Sequence, residues 1–454
     1  MVLAQAGSFF GGHSLRSQPP RFRRPALEGF HLPNGLEVWL APIPSSPTSS
    51  VWVWYRVGSK NERPGITGAS HWVEHMLFTG SPRYRKGEID RAIVSVGGTL
   101  NAFTSYDVTA YYSTVPREFL AVPLDIESDR LTRAAITDHE IDRERSVVLS
   151  EREGNENWPE FRVEEELQAL AFRNHPYRWD PLGYRWDIES MTGSQLREYY
   201  RRFYGPRNAV LIVAGGFEPR TTRREIVRRF GPLPSTGEDP RVRIEEPMAR
   251  GERRAELTGP GTTPLLEIGY RAPSVFDART PSALLLDAIL GGDAWLFGSG
   301  NGGGRAKEHP SSRLYRSLVD AGLAVRAVSE FHPRMHPSLF TTTVLSAPGV
   351  RLDRVEVAVD TAMEELKRTV PTREEMREAR LRIARGAALA YEGASRTAFR
   401  VGWFASMRSP TFERELYDRI LKVRANEVRE AARAIFDSAS RVVVTYEPTS
   451  PGDL

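Results

Sequence analysis

The feature that most constrains this chain is a repeat of its own grammar about a proline-rich seam. Between Gly231 and Arg254 the sequence crowds Pro232, Pro234, Gly237, Pro240, Pro247 and Gly251 among charged residues, the composition of a linker. On each side of it, short apolar runs with strand character alternate with longer helical stretches. The two sides also end alike. A helix rich in Arg and Glu runs into "AVLIVAGGFEP" before the seam and into "RVVVTYEP" at the far end. A chain of 454 residues exceeds what one hydrophobic core serves. The expectation is therefore α+β, two homologous α/β-sandwich domains in tandem from a duplication. The boundaries are a tail over 1–26, a first domain over 27–232, a linker over 233–253 and a second domain over 254–450.

Within the first domain, Asn34-Gly35 reads as a hairpin turn. Leu36–Ala41 and Val51–Val57 read as adjacent strands. Helices are predicted over Ser70–Phe78 and Gly87–Val96, the latter stopping at Gly97-Gly98. Paired strands follow over Thr99–Thr104 and Thr109–Val115, then a long helical region to about Arg173, a helix over Ser194–Phe203 and a buried strand over Ala209–Ala214. The second domain is predicted to hold strands over Leu265–Tyr270, Phe340–Leu345 and Arg441–Tyr446, and a helix over Pro281–Leu290.

Composition excludes several functions. With 62 basic against 58 acidic residues the formal net charge is only +4. The arginines are interspersed with Glu and Asp, which argues against nucleic-acid binding. No run of 18 apolar residues occurs, so no membrane span is expected. Met1 to Arg24 lacks a basic start, and Gln5, Gly7 and Ser8 break its apolar run, so it reads as a loose tail. The expected compartment is the cytoplasm, or the periplasm if the start is mis-assigned. Cysteine is absent, so any metal must sit on imidazole and carboxylate groups.

Chemistry concentrates in His71-Trp72-Val73-Glu74-His75, an H-x-x-E-H pattern. On a helix, residues four apart share a face one turn apart, so both imidazoles can reach one zinc ion (Zn2+, one per chain). Glu74 lies beside that face, placed to take a proton from the attacking water. A third ligand is required. In the charged stretch from Thr137 to Asn155, Glu144 and Glu151 are seven apart and share a helix face. Glu151, 76 residues after His75, follows Val147-Val148-Leu149, which would anchor its face inward. Glu151 is assigned as ligand and Glu144 as the carboxylate supporting the site. The blander readings are a pair of unrelated histidines and surface salt bridges for the two glutamates.

Two other patterns fail on context. His332 and His336 are four apart, but Pro333 and Pro337 preclude a helix there. Gly298, Gly300 and Gly303 match G-x-G-x-x-G without a preceding strand, so the stretch Gly291–Arg305 reads as a flexible loop.

"GASHWVEHMLFTGSPRY", "GGTLNAFTSYDVTAYYSTVP" (Gly97–Pro116), "ERSVVLSE" (Glu144–Glu151) and "SSRLYRSLVDAGLA" (Ser311–Ala324) together resemble the insulinase/pitrilysin family of zinc peptidases, whose motif inverts H-E-x-x-H. The resemblance runs over about residues 28 to 449, in the same two-repeat order. It implies a zinc endopeptidase or oligopeptidase whose peptide substrates add as a strand to a sheet edge, here Thr99–Thr104. By match, Asn101, Ala102 and Phe103 are the substrate-binding residues; Asn101 alternatively caps a turn. Active members also use an Arg and a Tyr from a C-terminal domain. Val319 and Val325 stand at those positions, and Tyr315, Arg316 and Arg326 do not match the spacing. In short members of the family, two chains close as a clamshell. The expectation is thus a heterodimer with a homologous partner subunit supplying the Arg/Tyr pair, with a homodimer as the alternative. A non-catalytic assembly subunit of the same fold is the reading from another class.

Overall fold

Both halves of the chain build the same sheet. The structure, a computed structural model, describes residues 24–238, 240–292 and 308–449. Most of the expected tail and of the glycine-rich loop, including Gly298, Gly300 and Gly303, lies outside them.

In the first half, β1 (Glu28–His31) and β2 (Glu37–Pro42) form the expected hairpin. β3 (Thr48–Tyr55) leads to α1 (Ala69–Met76) and α2 (Glu88–Ser95), then to the hairpin of β4 (Thr99–Thr104) and β5 (Thr109–Pro116). The long helical region divides into α3 (Ala121–Arg133), α4 (Asp138–Glu156) and α5 (Pro159–Ala171). Then come α6 (Arg185–Ser190), α7 (Gly193–Phe203), β6 (Ala209–Gly215) and α8 (Pro219–Phe230). The sheet order is β1-β2-β6-β3-β5-β4.

The expected adjacency of the second and third strands is therefore wrong. β6 inserts between them, parallel to β2 and antiparallel to β3. Neighbours in sequence favour hairpins, but a strand returning after a long helical excursion can take the central position. β6 is buried along its whole length, as a strand covered on both faces must be.

The second half repeats the plan with β7 (Arg253–Pro260), β8 (Leu265–Ala272), α9 (Thr280–Leu290), β9 (Ala324–Phe331) and β10 (Ser338–Ser346). It continues through α10 (Leu352–Arg368), α11 (Arg373–Leu389), α12 (Gly393–Met407), α13 (Phe412–Lys422) and α14 (Ala425–Ile435) to β11 (Val442–Thr449). Its order is β7-β11-β8-β10-β9. The pairings reproduce those of β2-β6-β3-β5-β4, including the single parallel pair, β7 with β11. β7 and β9 escape the sequence reading. The first is masked by charges and the second by its polar alternation.

The halves exchange helices. α12 lies on β3 and β6 of the first sheet, where Ala398, Phe399 and Val401 meet Trp52, Trp54, Val210 and Ile212. α5 lies on β8 and β11 of the second sheet through Val163, Leu167 and Ala171. Gly402 lets α12 approach closely, because a Cβ there would collide with the Trp54 indole. The opposite face of the first sheet is covered by α1, α3, α4 and α7, whose apolar residues share a core with Val51, Val53, Tyr55 and Tyr111. β4 is left as an edge strand on the side of α1.

Candidate metal centre

α1 starts where backbone amides need partners. Its N-cap, Gly68, takes φ 85°, a conformation open to glycine. A side chain there would also press on the Leu182 carbonyl. The buried Glu62 carboxylate accepts from the amides of Gly68 and Ser70, both at 2.8 Å, satisfying two of the amides a helix start leaves free. Asp187 accepts from Gly65 N at 3.0 Å, Thr67 N at 3.1 Å and Thr67 Oγ1 at 2.6 Å. Trp72, Val73 and Met76 then point into the core, which turns His71, Glu74 and His75 the other way.

α4 brings the third donor. Thr137 caps it by accepting from Glu140 N at 3.3 Å. Ile141, Val148 and Arg152 are its buried residues. Of the three apolar residues expected to anchor it, Val148 is fully buried and Leu149 packs half-buried against the same core, while Val147 does not anchor. Val147 is 48% exposed, since the helix turns about 100° per residue and carries it off the buried side. Two arginines clamp α4 across α6. Arg145 donates to the carbonyls of Ile188 and Met191 and stacks on Trp72 at 4.7 Å. Arg152 donates to the Gly183 carbonyl and pairs with Glu165 at 2.8 Å.

These supports make three side chains converge. His71 Nε2 lies 3.5 Å and His75 Nε2 3.4 Å from the same Glu151 oxygen, Oε2. One ligand atom of each residue falls within 4.8 Å of the others. A tetrahedral zinc with bonds of about 2.0–2.1 Å holds its donors about 3.3–3.4 Å apart, so the spacing fits that ion. The donor set of two imidazoles and one carboxylate, without thiolate, is a zinc set as well. Among the described residues no other group of three such donors assembles; His332 and His336 belong to none.

The electrostatics suit a cation. Burial, then the neighbouring His75, lowers the His71 pKa to about 4 against the pull of Glu151, so its imidazole is neutral at pH 7 with a lone pair to give. Glu151 is held below the usual carboxylate range, chiefly by its hydrogen bond with His75 and further by its proximity to the two imidazoles, against partial burial. Burial alone would lower His75, but Glu151, Glu74 and Glu144 outweigh it and raise its pKa. A metal must displace that proton to bind.

Around the three donors, the supports are unequal. Glu144 Oε2 lies 3.4 Å from His75 Nδ1, and its Oε1 accepts from Lys86 Nζ at 2.8 Å. His71 Nδ1 is buried without a hydrogen-bond partner among the described residues. Glu74 is buried beside the cluster, and burial pushes its pKa up to about 7, opposed by the Thr104 hydroxyl and His75. Thr104 Oγ1 donates to Glu74 Oε2 at 2.6 Å. Sequence reasoning missed Thr104, Lys86 and Glu62. Thr104 alone carried a legible signal: it lies two residues past Ala102, on the same face of a strand beside α1.

The edge residues divide between the faces. Ala102 packs with the α1 core. Asn101 Oδ1 accepts from the Ala102 amide at 2.8 Å. The Phe103 ring sits on the far face with Trp52, Trp54 and Phe399, so at the edge Phe103 has only its backbone to give.

The description "Insulinase (Peptidase family M16)" matches residues 37–180, and "Peptidase M16 inactive domain" matches residues 190–383. The chain belongs to the insulinase family, peptidase family M16. The first match contains all three donors and Glu74; the second begins in the first half, before α7, and contains none of them. A zinc protease of Helicobacter pylori, PqqE, is 28% identical over 358 residues, spanning 78% of this chain and 77% of that protein. The beta subunit of the mitochondrial-processing peptidase of Blastocladiella emersonii is 30% identical over 234 residues, 49% of this chain and 50% of that one. The crystal structure of a protease from Helicobacter pylori superposes with a TM-score of 0.87 at 24% identity, covering 94% of this chain and 100% of that chain. No described helix is long and apolar enough to cross a membrane.

Proposed function

We propose that this chain hydrolyses extended peptides as the zinc-bearing member of a two-chain M16 peptidase. The observation that carries the reading is the convergence of His71 Nε2 and His75 Nε2 on Glu151 Oε2 at 3.5 and 3.4 Å, with a buried Glu74 beside them and an edge strand alongside. His71, His75 and Glu151 would hold zinc, which when bound supplies Lewis-acid polarisation of the scissile carbonyl and acidifies a water.

The chain's own residues do the rest. A substrate strand adds to the free edge of β4, taking main-chain hydrogen bonds around Asn101–Phe103. That fixes the scissile bond beside α1. Glu74 takes the proton of the attacking water and then delivers it to the leaving amine; a group with a pKa near 7 can do both at neutral pH. Glu144 does not reach the reacting atoms; it orients His75.

A homologous partner subunit completes the site by supplying the Arg/Tyr pair. Val319 and Val325 cannot polarise a carbonyl, and Arg316 is engaged with Glu375 at 3.4 Å. The relative named as a subunit also favours this assembly. Full activity of the isolated chain would remove the need for a partner. The test of the mechanism is Glu74→Gln. It should keep one zinc per chain and lose peptide hydrolysis by roughly 10²- to 10⁴-fold. Unchanged hydrolysis would reject the role of Glu74.

A further inference from the structure

Among the described residues the second half brings no donor to the zinc cluster, yet it grips the hairpin that carries the edge strand. The turn between β4 and β5 presents Asp107, whose side chain is buried at the seam between the halves. Asp107 Oδ2 accepts from Met335 N at 3.0 Å, in the turn between β9 and β10. Its Oδ1 accepts from Tyr177 OH at 2.7 Å and pairs with the buried Lys60 at 3.3 Å. Lys60 Nζ also donates to the Asp107 carbonyl at 2.5 Å. Arg334 stacks on Tyr106 at 3.5 Å, and His336 N donates to Tyr177 OH at 3.2 Å. The two turns occupy equivalent places in the duplicated sheets, so the repeats meet hairpin to hairpin.

Three residues before Asp107, the same hairpin touches the reacting region. Thr104 Oγ1 donates to Glu74 Oε2 at 2.6 Å and lies 3.4 Å from Thr109 Oγ1, which donates to the Val57 carbonyl at 3.0 Å. A carboxylate fixed by a short hydroxyl bond from a rigid strand keeps one orientation. A buried ion pair with every neighbour engaged resists displacement, because removing one partner strands the other charge.

We propose that the half without metal ligands serves catalysis by holding the β4–β5 hairpin. Asp107 fixes the turn, and Thr104 is a positioning residue that aims the Glu74 carboxylate at the substrate strand. The proposal rests on the peptidase reading above, and the test separates the two.

Peptide hydrolysis is measured with the zinc-loaded full chain, together with any subunit that co-purifies with it. Thr104→Val should lower kcat roughly 10-fold with KM within about twofold and zinc content unchanged, the scale of one hydrogen bond to a charged group. Thr104→Ser, which keeps the hydroxyl, should restore most of kcat. Undiminished kcat in Thr104→Val, or no rescue by serine, overturns the positioning role. Hydrogen exchange tests the grip without turnover. Tyr177→Phe should speed exchange of the Thr99–Thr104 amides roughly fivefold while leaving Glu37–Pro42 in the same sheet unchanged. Equal rates in both segments overturn it. Full activity of Glu74→Gln alongside the predicted exchange pattern would reject the peptidase mechanism and leave the grip standing.

Discussion

Glu144 stands between His75 and Lys86, 3.4 Å from the imidazole Nδ1 and 2.8 Å from the ammonium nitrogen. The contact orients the ring and favours a lone pair on Nε2, the atom facing Glu151. Glu144→Gln should therefore weaken zinc binding by about 10- to 100-fold, read by competition with a chelator. The stoichiometry at saturating zinc should stay at one per chain. An unchanged affinity would reduce Glu144 to a surface partner of Lys86.

Loss of a donor is a harsher change. His75→Ala or Glu151→Ala leaves two ligands where a catalytic zinc needs three. Metal analysis of either purified variant should fall from about one zinc to near zero, with circular dichroism unchanged. Retained zinc in both variants would exclude the assigned ligand set.

The pH dependence follows from Glu74. Burial raises its pKa to about 7 in the metal-free protein. A base must be ionised to take a proton, so kcat/KM should fall as pH drops through the Glu74 pKa, about tenfold per unit below it. A bound cation favours the charged carboxylate and moves this limb down, never up. The limb should lie at or below pH 7 with zinc present. Activity that rises on acidification from pH 7 to 5 would contradict Glu74 as base.

Gly402 tests the exchange of helices between the halves. A methyl at this position meets the Trp54 indole within a filled interface. Gly402→Ala should destabilise the chain by about 1–3 kcal/mol through overpacking, although alanine is the better helix former. Urea unfolding checks this; an equal or higher midpoint would show that α12 does not press on Trp54.

What the sequence made legible was whatever depends on local period. His71 and His75 share a helix face by spacing alone, and Thr99–Thr104 emerges with its observed limits because its flanking glycines and turn are local. Glu151 required an apolar anchor, and Val148 supplied one with Leu149 packed beside it; crediting Val147 as well ignored the helical period. Non-local choices were illegible. Nothing near Ala209 announces that its strand will enter between β2 and β3, and the covering of β3 by α12 depends on residues more than 300 positions away. Thr104 was half legible: the strand period puts it on the face of Ala102, but its bond to Glu74 depends on which atom of α1 the strand passes.

The most direct test of the whole account is where zinc binds. Anomalous scattering at the zinc edge from crystals of the zinc-loaded protein should place one ion about 2.0–2.2 Å from Nε2 of His71, Nε2 of His75 and Oε2 of Glu151. An ion bound elsewhere, or none among these three side chains at saturating zinc, would contradict it.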